Sequence, residues 1–93
     1  MSEQNFKLPP QNLEAEQSVL GGLMLDAQAW DKIADHIFEK DFYRPEHQLI
    51  FQIIQDLVKH QKPLDVLTVS EGLKHNNQLD SIGGEVYLFE LAK

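Results

Sequence analysis

Residues 13–26 read LEAEQSVLGGLMLD, and this stretch decides the fold class. Its apolar residues recur at helical spacing, with Val19, Leu20, Leu23 and Met24 spread over one half of a helix. Two glycines interrupt the middle, each costing about 0.5–1 kcal/mol relative to alanine. At about 100° per residue, Ser18 and Gly22 lie together and border Ala15. Ala15, Ser18 and Gly22 therefore predict a small-residue groove that admits a second helix at close range, from this chain or from another subunit. Gly21 points instead towards Gln17 and Glu14, and the groove does not explain it. In such a groove Gly22→Leu would overpack at a cost of order 1–3 kcal/mol.

Helical spacing continues outward from this segment. Asn12 is placed to cap the first helix, and Glu14 and Glu16 fall in its first turn, where acids suit the dipole. Asp26 predicts the cap of a second helix, with Trp30, Ile33, Ala34, Ile37 and Phe38 as one buried stripe. Pro45 opens a third, PEHQLIFQIIQDLVKH, whose apolar residues cover more than one face, as in a central helix. Thr68 and Glu71 form a capping-box pattern for a short fourth helix that buries Val69 and Leu73 and ends near Asn76-Asn77. Leu79 and Ile82 predict a compact turn, and Gly83-Gly84 precede a fifth helix, EVYLFELAK. No C-cap signal ends it, as expected of a piece of a longer chain. The pattern predicts an all-α fold, a compact orthogonal bundle of about five to six helices.

Ninety-three residues suit one domain. Residues 1–11, with Pro9-Pro10, read as a disordered arm, and 12–93 as the helical domain. The chain lacks cysteine, which removes disulfides, thiolate metal sites and thiol nucleophiles. No apolar run approaches the ~20 residues of a membrane span, and the N-terminus lacks the pattern of a signal peptide. A cytoplasmic location is the expectation.

Net charge is −7. Residues 13–41 carry Glu14, Glu16, Asp26, Asp31, Asp35, Glu39 and Asp41 against Lys32 and Lys40. Such a surface repels phosphates, which disfavours direct nucleic-acid binding. His36, His47, His60 and His75 lack the helical partner spacing of a metal site and read as surface or helix-end residues. The acids read as solvent-facing, the serines lack a nucleophile elbow, and the glycines do not form a phosphate loop. No catalytic, cofactor-binding or metal-binding residues are predicted. Tyr87 stands out because it follows the Gly-Gly turn and carries a polar tip suited to an interface.

Four segments carry a family likeness: LPPQNLEAEQSVLGGLMLD, DFYRPEHQLIF, PLDVLTVSEGL and QLDSIGGEVYL. In the same order and with comparable spacing, they closely resemble the N-terminal domain of bacterial DnaB-type replicative DNA helicases, from about Leu8 to Lys93. The resemblance implies a longer parent that continues through a helical hairpin and a linker into a RecA-like motor domain. That motor would bind ATP and magnesium and drive 5′–3′ unwinding of duplex DNA at the fork. None of its motifs falls within these residues, so the fragment itself is expected to be no enzyme and to hold no cofactor. The family's N-terminal domains form a hexamer collar, a trimer of dimers, and dock the helicase-binding domain of primase within the primosome. The resemblance implies the same partners here, with a helicase loader as a further candidate, and a monomer or weak dimer for the isolated domain. It also places the segment from Ile82 to Glu90 towards the partner, with Tyr87 as anchor flanked by Glu85 and Ile82. A helical nucleic-acid-binding module is the alternative reading, and the acidic charge weighs against it.

Overall fold

Pro45 occupies the first position of the longest helix, α3 (Pro45–Lys59), in a computed structural model that describes residues 7–93. A proline there forfeits no hydrogen bond, because the first N–H groups of a helix lack intrahelical partners. The faces of α3 that look inward carry Ile50, Phe51, Ile53, Ile54 and Leu57, all buried. On it pack α1 (Leu13–Leu25) and α4 (Val66–His75), with α5 (Gly84–Leu91) against both of these, and the one-turn α2 (Trp30–Ile33) reaching it through Trp30. Leu20, Leu23 and Met24 of α1, Val69 and Leu73 of α4 and Leu88 of α5 close the core over α3. Among the described residues there is no strand, and the all-α expectation holds.

Asn12 caps α1 as expected, its Oδ1 accepting the Ala15 N–H at 2.9 Å. The cap of α4 lies upstream of the predicted one. Asp65 Oδ1 accepts the Thr68 N–H at 2.9 Å, and Thr68 Oγ1 accepts the Asp65 N–H at 3.0 Å. Thr68 is thus the third helical residue of a reciprocal box rather than the cap, and the helix starts at Val66. A carboxylate is the better acceptor for a helix N-terminus, so the Asp65 box prevails over Thr68 and Glu71.

The second predicted helix is also corrected. Asp26 does cap a 3-10 turn at Ala27–Ala29, but α2 then ends at Ile33. Ile37 is buried, while Phe38 is extended and 47% exposed. The stripe breaks because Asp41 Oδ2 accepts the Phe38 N–H at 2.8 Å and starts a new turn at Glu39–Asp41. A local bond from side chain to backbone has replaced the helical one. Trp30 keeps its place against the core, its ring centroid 5.6 Å from that of Phe51.

The close approach on α1 sits at Gly21, not at Gly22. A Cβ on Gly21 would lie 1.8 Å from the Leu91 carbonyl oxygen, whereas one on Gly22 would meet nothing within 4 Å. Ala15 is half-buried, and Ser18 and Gly22 are exposed, so the predicted groove is open. The seam follows Gln17 and Gly21 instead, one residue round the helix, and pairs with Tyr87 and Leu91 of α5. Both contacts advance together, so α1 and α5 run in the same direction. Gly83 supplies the turn into α5, with φ at 105°, a region that side chains rarely tolerate. Residues 79–82 form the expected compact turn, and Ile82 is buried in it. Of the segment read as a disordered arm, residues 1–6 lie outside the described residues. Leu8 packs half-buried against the core.

Candidate functional site

Glu16 and His47 are both fully buried, against the sequence expectation of a solvent-facing acid and a surface histidine. Each occupies a core position of its helix. Glu16 precedes Leu20 and Leu23 by four and seven residues, and His47 precedes Ile50, Phe51 and Ile54 by three, four and seven. That register was the available signal, and residue type concealed it.

A buried carboxylate is costly unless its oxygens find donors. Oε2 of Glu16 accepts the Tyr43 N–H at 2.6 Å, and Oε1 accepts the Arg44 N–H at 3.4 Å. Tyr43 and Arg44 immediately precede Pro45, so an acid from α1 caps the positive end of α3. Arg44 makes no side-chain cap of its own there. Oε1 also meets His47 Nδ1 at 2.7 Å. Because a carboxylate accepts, Nδ1 carries the hydrogen, which leaves Nε2 of a neutral ring as an acceptor.

Nε2 lies 2.6 Å from the Tyr87 hydroxyl, and Gln17 Nε2 donates to the same oxygen at 3.2 Å. With the ring neutral, the hydrogen bonds run in one direction, from Gln17 to Tyr87 to His47 to Glu16. Tyr87 stacks on the imidazole at 5.9 Å and 7°, and Phe42 meets the ring edge-on at 6.4 Å. Three helices are joined through this row. Among the described residues, no buried side-chain nitrogen or oxygen lacks a hydrogen-bond partner.

Outside the row, Arg44 Nε lies 3.3 Å from Glu46 Oε1. The Glu46 carboxyl is held below its usual range by its own backbone N–H at the helix start and then by Arg44. The same hydrogen bond raises Arg44.

Tyr87 also opens onto the surface. Between α1 and α5 runs an open groove of about 560 Å³, lined by Glu14, Gln17, Ser18, Tyr87, Glu90, Leu91 and Lys93. Beside it, α5 exposes Val86 (69%) and Phe89 (54%), with Glu85 and Glu90 exposed on either flank. Glu85 is tied back to α4 by the Ser70 hydroxyl, which donates at 3.0 Å. Of the three residues expected to meet a partner, Ile82 is only 3% exposed and belongs to the core. Tyr87 is half-buried with its hydroxyl turned inward, and Glu85 is exposed. The exposed apolar residues Val86 and Phe89 were not singled out from the sequence, because apolar type alone does not tell which side of α5 meets solvent.

Glu16, His47 and Tyr87 stand in the order acid, imidazole, hydroxyl, and the hydroxyl is a phenol that also accepts from Gln17. Among the described residues, no group of three or more His, Asp or Glu side chains is placed to hold a metal ion. No helix there is long and apolar enough to cross a membrane. The row ties α1, α3 and α5 together.

The model of the DnaB-like helicase N-terminal domain matches residues 8–93. The chain belongs to this family. The replicative DNA helicase DnaB of Buchnera aphidicola subsp. Schizaphis graminum is 49% identical over 88 residues, covering 95% of this chain and 19% of that protein. The DnaB of Haemophilus influenzae is 44% identical over 91% of this chain and 18% of its own length. The chain thus spans about a fifth of these DnaB relatives. The crystal structure of the N-terminal domain of the DnaB helicase from Mycobacterium tuberculosis matches with a TM-score of 0.86 and 42% identity. That match covers 91% of this chain and 59% of the other. The DnaB N-terminal fold is therefore the fold of this chain.

Proposed function

We propose that this domain is a protein-interaction and assembly module of a cytoplasmic replicative helicase, which docks primase on its α5 side and contributes to the hexamer collar. The parent would be the ATP-driven 5′–3′ motor, with its chemistry in a RecA-like domain beyond these residues. The observation that carries the reading is the exposed pair Val86 and Phe89, one turn apart on α5 and flanked by Glu85 and Glu90. Apolar anchors with a charged margin are the usual anatomy of a protein interface. The net charge of −7 favours a protein partner over nucleic acid.

Titration of the isotope-labelled domain with the helicase-binding domain of primase tests this. Amide shifts are expected at Val86, Phe89 and Glu90 and along the groove at Gln17 and Ser18. Shifts confined to the far face, between α3 and α4, would overturn the docking site.

A further inference from the structure

The groove between α1 and α5 meets a buried imidazole through a single phenol. Gln17 donates to Tyr87, and while the imidazole is neutral Tyr87 donates to His47 Nε2 and His47 Nδ1 to Glu16. We propose that protonation of His47 reverses the outer half of this chain and turns the Tyr87 hydroxyl hydrogen from the interior to the groove.

The proton bookkeeping is simple. Tyr87 passes its hydroxyl hydrogen to Nε2 and takes a proton from a hydronium ion in the groove, so one N–H bond forms, the O–H bond is restored and one water molecule is released. Nε2 then donates to Tyr87, whose new hydrogen can point only outward. Gln17 must flip its amide to accept that hydrogen, or release it to the groove. The groove changes from one whose phenol is an acceptor to one whose phenol is a donor.

Charged and polar groups face the ring from three helices. Glu16 faces it from α1 at 2.7 Å and Tyr87 from α5, with the Phe42 ring edge-on to the imidazole. On its own helix Arg44 and Glu46 pair with each other. Beyond Tyr87 the groove carries Glu14, Glu90 and Lys93. A partner carbonyl or carboxylate would be the group that reads the new donor.

The test is imidazole nitrogen spectroscopy on this domain, titrated from about pH 8 to about pH 5, the span in which histidine charge commonly changes. At high pH the hydrogen should sit on Nδ1. On acidification the Gln17 side-chain amide and the Tyr87 ring signals should move with the same midpoint as His47. In Tyr87→Phe the Gln17 amide should lose its pH response while His47 still protonates. A hydrogen on Nε2 at high pH would overturn the proposal, as would a His47 that stays neutral until the chain unfolds. So would Gln17 and Tyr87 signals that stand still while His47 titrates. No partner is needed, so the outcome is separate from that of primase docking.

Discussion

Gly21 on α1 faces the backbone carbonyl of Leu91 on α5 so closely that a methyl group there would overlap it, at 1.8 Å from the oxygen. Backbone cannot move aside as a long side chain can. The two helices can lie this close because position 21 has no side chain.

The two glycines should therefore respond in opposite ways. Gly21→Ala is expected to destabilise by about 1–3 kcal/mol through overpacking. Gly22→Ala, in open space within a helix, is expected to stabilise by about 0.5–1 kcal/mol. Urea midpoints of the two variants check this, and equal shifts would refute the assignment of the seam.

Breaking the buried row should be costly at either end. Glu16→Ala leaves the Tyr43 N–H and His47 without their acceptor, at an expected cost of about 1–3 kcal/mol for each buried donor left unpaired. Paired with His47→Leu, the losses should fall well short of additive, since the two residues act in one network. Additive losses in a double-mutant cycle would argue against the row.

Tyr87 is part of the fold, since its hydroxyl and its ring both bear on the buried His47. Tyr87→Phe keeps the stacked ring but leaves His47 Nε2 unpaired, for a loss of about 1–3 kcal/mol. Thermal melts of Tyr87→Phe and Tyr87→Ala should both fall, the second further.

The outer face of α5 should behave differently. Val86→Ser with Phe89→Ser is expected to shift stability by no more than about 0.5 kcal/mol per site, because both side chains are exposed. Primase binding should weaken by at least tenfold in calorimetric titration. Undiminished binding would move the docking site elsewhere.

Acid should remove the contribution of Glu46. Its carboxyl is depressed in the folded chain, so it stabilises above the unfolded carboxylate value of about 4.3 and loses that effect as pH falls through the lower folded value. Glu46→Gln should lower the urea midpoint near neutrality, with the gap to the parent closing towards about pH 3. A gap that persists at acid pH would mean that charge is not its cause.

The helices were legible wherever periodicity and caps agreed. Asn12, Pro45 and Asn76 mark boundaries that the structure keeps or nearly keeps. The reading failed where a local bond competed with the helix, as Asp41 does at Phe38, and where two caps lay close together, as at Asp65 and Thr68. It failed again in the site, because Glu16 and His47 carry polar groups at core positions and residue type was weighed above position.

Sequence alone determined that the chain is helical, acidic and recognisable as a DnaB-type N-terminal domain, because apolar spacing, charge and motif order are written along the chain. Tertiary structure alone decided which glycine lies in the seam, which acid is buried and which side of α5 meets solvent. Those choices depend on how helices are turned about their axes against one another. A rotation by one residue, about 100°, exchanges seam for surface, and only packing of the assembled core fixes it.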